Sequence, residues 1–146
     1  MSTNNRLNSL FLNSYIELDK ICSQKFGLAS GGVTEYINRL VNSRFAPERD
    51  EVLPRLVKYR NIRNRIAHEE GALGQSNDIT KLDLRWLDTF KHNLEKKRDP
   101  ISVYLRKARK YAKRRRAKRI IIVLLILVVA AASAGVYYMF ANGLLP

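Results

Sequence analysis

The chain has 146 residues with 27 basic and 13 acidic side chains, a formal charge of +14. That length accommodates one ordinary folded domain and excludes two. The lone cysteine, Cys22, excludes an intrachain disulfide and a multi-cysteine metal centre. Residues 1–99 hold every acidic residue beside 17 Lys/Arg, a net +4, and residues 100–119 hold the other ten basic residues.

From Arg6 to Phe26 the apolar residues Leu7, Leu10, Phe11, Tyr15, Leu18, Ile21, Cys22 and Phe26 recur at intervals of three and four, which is helical periodicity. The Gly27 to Gly32 stretch breaks this helix and reads as a loop; it lacks the Gly-Lys-Ser/Thr ending of a phosphate-cradling P-loop and is assigned no ligand. Val33, Tyr36, Ile37, Leu40 and Val41 mark a short second helix that ends before the segment containing Pro47. A third helix begins near Asp50 to Pro54 and runs through Val52, Leu56, Tyr59, Ile62 and Ile66, with Gly71 and Gly74 as stop signals. Ser76 to Asp78 form a polar loop, with Asp78 or Thr80 as N-cap and Thr80-x-x-Asp83 resembling a capping box. The fourth helix carries Leu84, Leu87, Phe90 and Leu94, with Trp86 beside them. Asp99-Pro100 provides an N-cap and a first-turn proline for a last helix running through the basic stretch. No alternating strand pattern of useful length occurs, so the fold class is all-α, a small four-helix-type bundle at 1–99.

Residues 120 to 141 contain no charged side chain. Twenty-two residues of helix span about 33 Å, enough to cross a hydrocarbon core of roughly 30 Å. The expected organisation is therefore the bundle, a basic juxtamembrane segment at 100–119, a transmembrane helix at 120–141 and a short tail at 142–146. Lying late in the chain, the apolar segment is expected to stay as an anchor rather than to be a cleaved signal peptide. Ten basic residues precede it and none follows, which predicts a single-pass protein with its N-terminal domain cytoplasmic and its C-terminus on the opposite side. Tyr137, Tyr138 and Phe140 would sit near the far interface. The basic stretch, with Arg114, Arg115, Arg116, Lys118 and Arg119 nearest the span, is read first as contacting anionic lipid headgroups of the bilayer and second as attracting RNA phosphates.

The third helix also carries a polar constellation. At about 100° per residue, Arg63 falls within about 40° of the centre of the apolar stripe, and a guanidinium there needs a partner or an opening. Asn64 and His68 lie one turn apart on the adjoining face, where the amide could hold the imidazole, and Arg60 lies between them and Arg63 as a further phosphate contact. Glu17 or Asp19 on a neighbouring helix would be the structural partner of Arg63. His92, between Lys91 and Asn93, reads as a surface residue, and the two histidines with one cysteine make a His/Cys metal site unexpected.

Arg63-Asn64-Arg65-Ile66-Ala67-His68 resembles the Arg-polar-x-x-x-His signature of the HEPN family of small all-helical proteins. The resemblance covers about residues 5 to 98 as architecture and Arg63, Asn64 and His68 as motif. It implies a site formed by two protomers that cleaves RNA without metal or other cofactor, with Arg63, Asn64 and His68 as its catalytic residues. The chemistry is coherent with those residue types. A near-neutral imidazole can move the proton of a 2′-hydroxyl. A guanidinium fork can hold the charge that builds on the phosphate. Arg63 and His68 are about 140° apart on one regular helix, which favours a homodimer, and Ala131 and Gly135 add a helix-packing signal in the span. The two functions expected are a membrane-anchored, metal-independent endoribonuclease and a non-catalytic, membrane-tethered helical interaction module.

Overall fold

The computed structural model describes residues 3–69 and 79–141. Five helices follow in order: α1 (Thr3–Phe26), α2 (Gly32–Asn42), α3 (Arg49–His68), α4 (Lys81–Glu95) and α5 (Pro100–Ala141). No strand occurs among the described residues, and the all-α class holds. The expected stop signals Gly71 and Gly74, the Ser76 to Asp78 loop and the tail lie outside the described residues.

The first compact unit ends at Leu105. Within it α1 packs on α2 and α4, and α2 on α3. The core is the union of the apolar stripes: Phe11, Tyr15, Leu18 and Cys22 of α1, Val33, Tyr36, Ile37 and Leu40 of α2, Val52, Leu56, Tyr59 and Ile62 of α3, and Leu87, Phe90 and Leu94 of α4. Val41, expected with them, is exposed, as is Leu10. Seven aromatic rings touch in sequence through this core. Tyr15 meets Phe11 at 6.0 Å, Phe11 meets Tyr59 at 5.7 Å, and Tyr59 meets Trp86 at 5.6 Å. Trp86 then stacks on Phe90 at 4.9 Å, Phe90 meets Tyr36 at 5.5 Å, and Tyr36 meets Phe26 at 6.1 Å. Most of these contacts are tilted or edge-on, the arrangement that the ring quadrupole favours.

Several helix ends are closed, each by a different device. Gly27 (φ 69°) ends α1, with Leu28 N–H donating to the Ser23 carbonyl at 2.9 Å and Gly27 N–H to that of Gln24 at 3.4 Å. This is a Schellman motif, which needs the left-handed residue that glycine supplies. Gly32 then sits where α2 crosses α1 so closely that a Cβ would fall 2.1 Å from the Ser23 nitrogen and 2.4 Å from the Asp19 carbonyl. No side chain fits there. The N-cap of α2, Gly31, has no side chain to offer, and Asp19 of α1 supplies the cap: its carboxylate accepts from Gly31 N–H at 3.2 Å and Val33 N–H at 2.9 Å. Arg49 Nε donates to the Leu40 carbonyl at 3.1 Å, satisfying an acceptor near the end of α2. α4 starts on the expected capping box, in which Thr80 N–H donates to Asp83 at 2.8 Å and Asp83 N–H to Thr80 Oγ1 at 3.3 Å. The Tyr59 hydroxyl donates to the same carboxylate at 2.8 Å, joining α3 to this cap.

Asp99, the expected N-cap of α5, does more than cap. Its side chain is 0% exposed. Lys25 Nζ donates to Oδ1 at 2.7 Å, the Tyr36 hydroxyl to Oδ2 at 2.9 Å and the Ser102 N–H to Oδ2 at 3.2 Å, while Lys25 also reaches Ser102 Oγ at 2.6 Å. Burial first, and then the adjacent carboxylate, push the Tyr36 hydroxyl far above its ordinary value, so it remains a donor. Ile101 is buried beside this knot, which extends the compact unit past the expected limit at residue 99.

The second unit is α5 from Arg106 onward. Ile120 to Val129, ten consecutive Ile, Val and Leu residues, are each 55–67% exposed. Burying such a run in hydrocarbon is worth on the order of 15–30 kcal/mol. Among the described residues this is the one helical stretch long and apolar enough to cross a membrane.

Two consequences are measurable. Asp99→Ala would leave Lys25 without its anion and should lower stability by about 3 kcal/mol, the low end for a broken buried pair because Lys25 keeps an edge to solvent. Urea unfolding of the full chain in detergent, followed through Trp86, the sole tryptophan, reads this; a variant as stable as wild type would show the knot to be dispensable. The second concerns acid. Burial alone would raise the Asp83 carboxyl, but the hydrogen bonds from Thr80 and Tyr59 outweigh it and hold the group below its ordinary value. A depressed folded value means that the cap stabilises fully at neutral pH and loses its contribution as pH falls below about 4. Asp83→Asn should flatten that acid limb, and an unchanged pH profile of unfolding would contradict it.

Candidate functional site

α3 presents its polar residues toward a cleft of about 360 Å³ that α1 and the start of α2 complete. Tyr15, Ile16 and Asp19 come from α1, Ser30 and Gly31 from the loop, Thr34 from α2, and Arg60, Arg63 and Asn64 from α3. The α1 residues follow from helical spacing, since positions 15 and 19 are one turn apart. The loop residues are brought in by the Asp19 cap on Gly31 and Val33.

Arg63 is exposed, although its angle places it at the edge of the apolar stripe. Its long stem carries the guanidinium out of the stripe, the opening that the sequence demanded. Arg63 Nη1 donates to Asn64 Oδ1 at 3.2 Å. Asn64 therefore holds the arginine, and among the described residues no hydrogen bond joins it to His68, the role expected for it. His68 is the last residue of α3, exposed, and absent from the cleft lining. One chain thus gathers Arg60, Arg63 and Asn64 and leaves His68 a turn beyond them.

The electrostatics of the cleft favour an anion. Two guanidiniums face one carboxylate, and that carboxylate is already engaged by two backbone N–H groups. Neither Arg60 nor Arg63 forms an ion pair with Asp19 or with Glu17; Glu17 pairs with Lys91 at 2.7 Å instead. Tyr15 is 5% exposed. Burial, and next the Asp19 carboxylate, push its hydroxyl up to about 12 against the pull of Arg63 and Arg60, so at neutral pH it is a proton donor. Spacing assigns Tyr15 to the core and Ser30 and Thr34 to loop and helix surface, so the sequence does not single them out for the cleft; it offers Asp19 only as a partner for Arg63.

His92 is exposed on α4, as expected of a surface residue. Arg114, Arg115, Arg116, Lys118 and Arg119 are exposed along α5 with no ion pair among the described residues. The same holds for the other five cations of residues 106–113, and the chain beyond Asp99 contains no acidic residue to meet them.

No curated protein and no solved structure matches the chain. A model described as a family of unknown function (DUF6548) matches residues 9–121, spanning the bundle and the basic stretch, and the protein belongs to that family.

Proposed function

We propose that the protein is a single-pass membrane protein whose helical domain lies on the cytoplasmic side and acts on RNA as a HEPN-like, metal-independent endoribonuclease formed by two copies. The observation that carries this reading is Arg63, exposed at the rim of an open cleft and steadied by Asn64 rather than spent in a salt bridge within the fold. A structural arginine would be paired with Asp19 or Glu17, and this one is not. In the reaction the RNA 2′-hydroxyl oxygen attacks the adjacent phosphorus, its proton passes to a base, and the 5′-oxygen leaves with a proton, giving a 2′,3′-cyclic phosphate. His68 is the proton-transfer group and Arg63 the phosphate holder. Because His68 stands a turn away from the cleft of its own chain, the pair is completed by a second copy, and tethering to a membrane raises the effective concentration of that copy.

The position of His68 favours a second reading, a non-catalytic interaction module. An RNA-cleavage assay of the full chain in mild detergent with EDTA separates the two. His68→Ala should cost about 10²- to 10⁴-fold in rate. Arg63→Lys should rescue poorly, since it keeps the charge but loses the fork. Asn64→Ala should be milder. Activity that needs a metal, or that survives undiminished in His68→Ala, would sink the nuclease mechanism. Inactivity on every RNA would leave the interaction module.

The orientation rests on the one-sided charge, ten cations before the apolar run and none after it. Those cations would meet anionic headgroups with about 1 kcal/mol per side chain near the surface. The full chain should stay in the membrane pellet through alkaline extraction, and deletion of residues 120–146 should release it. Release of the intact chain by alkali would end the transmembrane assignment.

A further inference from the structure

The nuclease reading uses Arg63, Asn64 and His68 and leaves the rest of the cleft without a task. Its far wall is nevertheless built. Tyr15 is buried to 5% exposure, with its ring against Phe11 at 6.0 Å, yet it lines the cleft. Its hydroxyl, a donor at neutral pH, lies within the field of Asp19, Arg60 and Arg63, the charged groups that line the same cleft. Arg60, half-buried on α3, borders the same space with no ion pair among the described residues. The hydroxyls of Ser30 and Thr34 border it at the start of α2, where backbone dipoles add positive potential. The charged lining groups are two guanidiniums and one carboxylate, and each oxygen of that carboxylate, Asp19, already accepts a backbone N–H, from Gly31 and Val33.

We propose that this cleft is a phosphate-binding subsite for the RNA backbone, in which the Tyr15 hydroxyl and the Arg60 guanidinium hold the phosphodiester next to the one that Arg63 and His68 act on. The proposal rests on the nuclease reading for its ligand and on the cleft alone for its chemistry. Phosphate oxygens accept from both groups. Arg60 and Arg63 lie three residues apart and so on neighbouring positions of one helix surface, where two forks can address successive phosphates from the same side. The Tyr15 hydroxyl stays protonated at neutral pH and loses no donor strength to ionisation. A single α3 surface would then grip the strand at Arg60 and hold the next linkage at Arg63 for His68.

The test uses the full chain in neutral detergent, with the amide NMR signals of Gly31 and Thr34, two residues of the cleft lining, as local reporters. Inorganic phosphate, and then an uncleavable 2′-O-methyl RNA oligonucleotide, should shift both signals saturably. Tyr15→Phe keeps the ring and removes the hydroxyl, and should weaken this binding about tenfold, the worth of one hydrogen bond to a charged group. Arg60→Gln should weaken it at least as much. With cleavable RNA, both variants should raise KM more than they lower kcat. Reporters unmoved by either probe, or equal affinity in wild type and both variants, would overturn the subsite. So would reporters that respond to phosphatidylglycerol micelles and not to the oligonucleotide. RNA cleavage with an unchanged KM in both variants overturns the subsite while the nuclease reading stands. Oligonucleotide binding at these reporters without any cleavage supports the subsite and removes the nuclease reading.

Discussion

One carboxylate ties the bundle together. Asp99 is wholly buried, and a buried anion is tolerable only when its oxygens are surrounded by donors. It meets a lysine from the end of α1, a tyrosine from α2 and a backbone N–H from the first turn of α5, so three helices must converge on one point. The same point fixes where α5 begins. The Lys25 ammonium serves twice, bonding Asp99 and Ser102, and lies 5.9 Å over the Tyr36 ring. Apolar packing alone would leave the ends of α1 and α5 free to slide against each other; an ion pair with four defined bonds fixes their register.

How much of this the sequence discloses depends on how far apart the interacting groups lie along the chain. The helices are legible because their apolar stripes are local, and so are the Thr80-Asp83 box and the Asp99-Pro100 start, each contained within four residues. What is hidden is the long-range use of polar groups. Nothing near Asp99 announces Lys25, 74 positions earlier. Gly31 looks like any loop glycine until Asp19 is found capping the helix in its place. Gly32 reads as flexibility and proves to be a close contact, a site where the backbone of another helix leaves no room for a methyl group.

The candidate site shows the same division. The arithmetic of a regular helix correctly separates Arg63 from His68, and it correctly demands an outlet for the guanidinium. It does not identify the opposite wall, because Tyr15 belongs by spacing and burial to the core and yet lines the cleft. The pairing of Arg63 with Asn64 is also beyond an angular reading, since adjacent residues point about 100° apart and meet only because the arginine side chain folds back.

The ring series through the core has an evolutionary consequence. Its first member, Tyr15, forms part of the cleft wall, and Tyr36, near its other end, donates to Asp99. Five ring-to-ring contacts run between them through Phe11, Tyr59, Trp86 and Phe90, with no flexible aliphatic side chain interposed. Close-packed rings do not absorb a change of volume locally. Lineages that replace one of these rings are therefore expected to carry compensating replacements at its neighbours, so that the cleft and the seat of Asp99 drift as a linked set of positions rather than independently.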